Sequence, residues 1–114
     1  MLFRSGVDYE LEFLVREGGT RSPLGTPLWD AIAGFVSKLE SGARLAPICV
    51  AGFTDSHWLR EAYGTVAYGF FPLRAMSADV AARLIHSADE RVPVDDLELG
   101  VRFLRHVAQA IGAG

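Results

Sequence analysis

Tyr9, Leu11, Phe13 and Val15 alternate with Asp8, Glu10, Glu12 and Leu14, a period of two that predicts a strand over 8–16 with one buried face. The alternation stops at Gly18-Gly19-Thr20-Arg21-Ser22-Pro23-Leu24-Gly25, the most turn-rich stretch in the chain. Such a stretch predicts a hinge or linker, with the residues on its two sides in different structural units. Leu28, Trp29, Ile32, Phe35, Val36 and Leu39 then recur at a 3.6-residue period, predicting a helix over 28–41 with one apolar stripe. Its start is marked by Thr26 as cap, Pro27 at the first position and Asp30 in the first turn, and its stop by Gly42.

Residues 44–51 predict a mostly apolar strand in which Pro47 removes one ladder donor, the mark of an edge or a bulge. A short helix over about 55–63, closed by Gly64, leads to Val66-Ala67-Tyr68-Gly69-Phe70-Phe71, a continuous apolar run of the kind that forms a strand buried on both faces. A helical turn over 77–84 is capped by Ser77. The last helix has a cap that can be read letter by letter. Asp95 and Glu98 are spaced as a capping box, Val94 and Leu99 as a hydrophobic staple, and Val94, Leu97, Val101, Leu104, Ala108 and Ile111 as the stripe that faces the core. Strands and helices alternate after residue 26, so the fold class expected is α/β, a parallel sheet covered by helices. Two strands are too few for such a sheet, and its completion from elsewhere is expected.

At 114 residues the chain has room for a single core. Half of it is apolar and 22% is charged, the composition of a folding sequence. A net charge of −3 without a cluster of Lys or Arg gives no footprint for nucleic acid or for anionic lipid. Its opening residues are too short and polar for a signal peptide, and no apolar run reaches the roughly 18–20 residues of a membrane helix, so the expected location is the cytoplasm. Cys49 is the single cysteine; flanked by Pro47, Ile48, Val50 and Ala51, it reads as a small buried hydrophobe.

Chemistry can sit at two loops that would succeed strands. At Gly52-Phe53-Thr54-Asp55 the chain enters a helix, where free N–H groups suit a carboxylate or a developing oxyanion and the Thr54 hydroxyl adds a donor. A helix cap is the simpler role for Thr54. At the second loop His86 offers an imidazole, with Asp89 and Glu90 near enough to fix its tautomer. One histidine is not a metal site, and a hydrogen-bonded structural histidine reads the same by spacing alone. His57 has no serine-nucleophile context, His106 is expected in solvent, and Asp95 and Asp96 are read as caps.

These loops carry a resemblance. Gly52-Phe53-Thr54-Asp55-Ser56-His57-Trp58-Leu59-Arg60, then Val66-Ala67-Tyr68-Gly69-Phe70, then His86-Ser87-Ala88-Asp89-Glu90-Arg91-Val92-Pro93-Val94-Asp95-Asp96-Leu97 closely resemble the carboxyl-terminal segment of the co-catalytic zinc metallopeptidases, the family of aminoacylase, glutamate carboxypeptidase and succinyl-diaminopimelate desuccinylase. The resemblance implies a partial three-layer αβα catalytic domain over 20–114, preceded over 1–19 by the last strand of a lid or dimerisation domain. It implies a hydrolase of small peptides or N-acyl amino acids that uses two zinc ions, with cobalt or manganese as alternatives. His86 falls on a metal ligand, Asp89 and Glu90 lie around it, and Gly52, Thr54 and Asp55 fall on the turn lining the substrate pocket. Phe53 departs from the family's second glycine. The H-x-D ligand pair and the adjacent Glu-Glu of the family are absent from this chain. The chain therefore reads as a carboxyl-terminal piece, inactive alone, whose partner is the remainder of the catalytic domain, a second chain or a second copy. The alternative is a non-catalytic α/β interaction module that pairs with another chain.

Overall fold

The computed structural model describes Glu12, residues 18–50 and residues 52–112, and the strand expected over 8–16 lies outside them apart from Glu12. Four helices occur in order: α1 Pro27–Leu39, α2 Ser56–Tyr63, α3 Ala78–Leu84 and α4 Val94–Gly112. Among the described residues there is no strand. The expected α/β class, a partial three-layer αβα domain, is thus corrected to an all-helical arrangement. A physical reason lies in the size of the chain. The two candidate strands after residue 26 are by themselves marginal as a sheet, whereas two long amphipathic helices can bury their apolar residues directly on each other.

α1 and α4 are the helices that pack together. Ile32 and Phe35 of α1 meet Leu99 and Phe103 of α4, each under 9% exposed. Phe35 and Phe103 stand edge to face with centroids 5.3 Å apart, and Phe70 lies 5.1 Å from Phe103. The run 66–71 is spent on this seam in place of a sheet, with Tyr68 and Phe70 packed against the core. Its main chain is held by side chains. The Ser22 hydroxyl accepts from the Ala67 N–H at 2.9 Å and donates to the Ala67 carbonyl at 3.0 Å. Ser22 so stands where a neighbouring strand would.

The start of α1 is the one its residues predict. Thr26 Oγ1 accepts from the Trp29 N–H at 3.2 Å with Pro27 at the first position. The same hydroxyl lies 2.8 Å from Tyr68 Oη, and Tyr68 in turn donates to the Pro23 carbonyl. One cap therefore also anchors the 66–71 run. Ser77 caps α3 through the Val80 N–H, and Gly64 closes α2 in the left-handed region at φ 64°, as expected.

α4 departs from its expected detail in two ways. It begins at Val94, placing Asp95 inside the first turn; Val94 is 79% exposed, too open for a staple, and Glu98 pairs with Arg102 at 3.9 Å. Its buried face is Asp96, Leu99, Gly100 and Phe103. The stripe expected inside, Val94, Leu97, Val101, Leu104, Ala108 and Ile111, is exposed. Cys49 is exposed as well, with Ile48 and Val50 at 83% and 70%, against the expectation of a buried cysteine.

Candidate functional site

The first loop stands at the start of α2. The Thr54 carbonyl accepts from the His57 N–H at 2.9 Å and Asp55 occupies the cap position, but Asp55 makes no side-chain cap hydrogen bond. Gly52, Thr54 and Asp55 are all exposed. α2 is therefore not capped by the Asp55 carboxylate. Phe53, at the place where the family has glycine, lays its ring 4.6 Å from that of His57 and 5.8 Å from Trp58. One side of the loop is walled by aromatic rings.

His57 carries little by sequence pattern, and the structure gives it a defined setting. It is buried, with Nδ1 3.3 Å from Thr20 Oγ1. Thr20 Oγ1 already accepts from Arg60 Nε at 2.9 Å, and Arg60 Nη1 donates to the Ala67 carbonyl at 3.2 Å. A threonine hydroxyl has one proton and two lone pairs, so Thr20 joins Arg60 and His57 in one hydrogen-bonded chain whichever His57 tautomer is present. Arg60 lies three residues beyond His57, on one face of a helix, which is the only hint in the sequence. Thr20 comes from the glycine-rich turn thirty-seven residues earlier, a link that no local pattern carries.

The second loop is the turn after α3. His86 takes φ 63°, the one non-glycine residue in the left-handed region among those described. The turn is tied by a series of hydrogen bonds. Ser87 N donates to the Leu84 carbonyl at 3.0 Å, Glu90 N to the Ser87 carbonyl at 3.2 Å, Asp89 N to Ser87 Oγ at 3.3 Å, and Arg91 Nη1 to the Asp89 carbonyl at 3.0 Å. Glu90 closes it by accepting from the backbone N–H of His86 at 3.1 Å. The Glu90 carboxylate thus holds the His86 main chain, and the hydrogen bonds of Asp89 also run through the turn's backbone. His86 itself is exposed.

The two loops are not joined by helix packing, because α1 and α4 are the only described helices that pack on each other. Among the described residues no group of three or more His, Cys, Asp and Glu side chains could hold a metal ion. His86 by itself does not make a zinc site.

A feature that sequence pattern does not show lies beside the second loop's helix. Asp96, expected as a cap, is 1% exposed. Its Oδ1 accepts from the N–H groups of Arg74 at 2.7 Å and Ala75 at 2.9 Å, and its Oδ2 from Met76 at 2.9 Å. The hydrogen bond from Ala75 does most to hold its pKa below the ordinary carboxylate value, with Arg74 and Met76 adding to it and burial opposing it. This carboxylate pins the 72–77 loop to the first turn of α4. A signal for it existed only in the helix period, which puts Asp96 three and four residues before Leu99 and Gly100 on one face.

Among the described residues no helix is long and apolar enough to cross a membrane. No family model, no curated protein and no solved structure matches the chain, so a functional reading has to be carried by these residues themselves.

Proposed function

We propose that this chain is a carboxyl-terminal piece of a zinc-dependent metallohydrolase acting on small peptides or N-acyl amino acids in the cytoplasm, one that supplies His86 as a metal ligand and the Gly52-Thr54-Asp55 turn as a wall of the substrate pocket. The observation that carries the reading is His86. It is a non-glycine residue at φ 63° in a hydrogen-bonded turn, its own N–H held by the Glu90 carboxylate and its side chain left to solvent. Backbone strain of that kind, of order 1–3 kcal/mol, persists where surrounding bonds over-determine it and is concentrated at functional positions. The three ordered motifs point to the same residue.

The described residues of this chain do not fit a zinc site by themselves, and no step of hydrolysis is assigned to them. The other ligands, of the H-x-D and Glu-Glu type, come from another stretch of polypeptide. What this chain contributes is an exposed imidazole and, at Thr54 and Asp55, two polar side chains at the start of a helix that Asp55 does not cap. The test is assembly with a polypeptide that carries the missing ligands, then metal analysis and hydrolysis of N-acyl amino acids. The wild-type assembly should hold zinc and turn over; His86→Ala should lose metal and activity together. Equal zinc content and equal turnover in the two would refute the assignment.

A second reading, a non-catalytic module that pairs with another chain, is favoured by a separate observation. Val94, Leu97, Val101 and Leu104, successive along α4, are 79%, 55%, 60% and 61% exposed, a contiguous apolar stripe of the kind that marks an interaction surface.

A further inference from the structure

The exposed stripe of α4 has a spacing of its own. Val94, Leu97, Val101, Leu104, Ala108 and Ile111 succeed one another at steps of three, four, three, four and three, a strict heptad seam rather than a 3.6-residue stripe. The five large residues of the seam are 79%, 55%, 60%, 61% and 46% exposed in chain order. Leu99, Gly100 and Phe103 are already turned to α1 and to the 66–71 run, so α4 carries two apolar faces, of which the described residues cover one. An apolar stripe of this length left open marks an interaction surface.

We propose that the occupant of the second face is the same helix of a second copy, packed antiparallel about a two-fold axis between Val101 and Leu104. Charge chooses the direction. With Val101 opposite the partner's Leu104, Leu97 lies opposite its Ala108 and Val94 opposite its Ile111. Glu98 then flanks the partner's Arg105, and by symmetry the pair forms twice. The parallel arrangement sets Gly100 against Arg105 and Pro93 against Glu98, with no opposite charges in reach. Glu98 is free to turn, since its side chain is 73% exposed and its contact to Arg102, at 3.9 Å, is long. The seam runs for about 26 Å of helix, the small end of a stable interface, and the dimer is expected to form and dissociate in the micromolar range. The result is a row of four helices, α1 and α4 of one copy beside α4 and α1 of the other.

This inference deepens the pairing reading and is independent of the metal reading. Sedimentation equilibrium of the full chain across the micromolar range tests it, with circular dichroism to confirm that each variant keeps its helices. The wild type should pass from monomer to dimer. Leu104→Glu, placed on a face exposed in the monomer, should abolish the dimer. Glu98→Arg should weaken it about tenfold, and Glu98→Arg with Arg105→Glu in the same chain should restore it. A wild type that stays monomeric overturns the proposal, as does a dimer that Leu104→Glu leaves intact. A dimer weakened by Glu98→Arg and not restored by the double exchange overturns the antiparallel register. None of these results touches the zinc content of an assembly containing His86, so failure here and failure of the metallohydrolase reading are told apart.

Discussion

Gly100 is where the structure makes its sharpest quantitative demand. A Cβ built there would lie 2.5 Å from both Cε2 and Cζ of Phe71, whereas carbon atoms in contact prefer about 3.5–4.0 Å. Gly100→Ala therefore forces the Phe71 ring to move by roughly 1 Å or more. Overpacking of this kind costs about 1–3 kcal/mol, and because Phe71 is 46% exposed and can swing outward the lower half of that range applies. Alanine within a helix returns about 0.8–1.0 kcal/mol relative to glycine. The net effect expected in the wild-type background is a destabilisation of about 0–1 kcal/mol. In a Phe71→Ala background the obstructing ring is gone, and the same substitution should stabilise by about 0.8–1.0 kcal/mol. A double-mutant cycle by urea unfolding, monitored by far-ultraviolet circular dichroism with slopes checked for constancy, reads the difference as a coupling of about 1–2 kcal/mol. If Gly100→Ala stabilises equally in both backgrounds, Phe71 does not sit on Gly100 and the packing of the 66–71 run on α4 is wrong.

Phe103→Ala removes a ring that is 5% exposed and paired with both Phe35 and Phe70; a loss of about 3–5 kcal/mol is expected, enough to unfold a core this small, and retained cooperative melting would contradict it. Asp96→Asn should lower the melting temperature most at neutral pH. The sign comes from a folded-state pKa held below the ordinary 3.8: the stabilisation is present above that value and is lost as pH falls through the folded one, so a wild-type advantage that grows on acidification would refute the role. Thr26→Val should cost about 0.5–2 kcal/mol through the lost cap of α1 and should also loosen Tyr68, visible as increased hydrogen exchange at residues 66–71.

Much of the helical part of this fold is legible in single residues. Thr26-Pro27, Gly64 and Ser77 each fix a helix end through local chemistry that needs no partner. The absence of a sheet is not legible, because a run such as 66–71 is equally apolar whether neighbours on its flanks are strands or the seam between two helices. Only the second exists among the described residues. α4 misleads for a related reason. It carries two apolar faces, and periodicity identifies a stripe without saying which body covers it. Asp96 passes for a cap because an aspartate at a helix start has two uses, its own N–H groups or those of a loop twenty residues away. At the candidate site, His86 and the Thr54 turn are visible as residue types in sequence, while His57 depends on Thr20, whose pairing is set by the folded chain alone.

The claim on which the functional reading turns is that His86, of the three histidines, is the one presented to a metal. Zinc titrated into the isotopically labelled chain while the imidazole resonances of His57, His86 and His106 are monitored tests it most directly. His57 is buried and engaged by Thr20, and His106 is half-buried with its ring 5.6 Å from Phe35, so His86 should respond first, weakly and without saturation, as befits a single ligand. A response led by His57 or His106 with His86 unmoved would contradict the account.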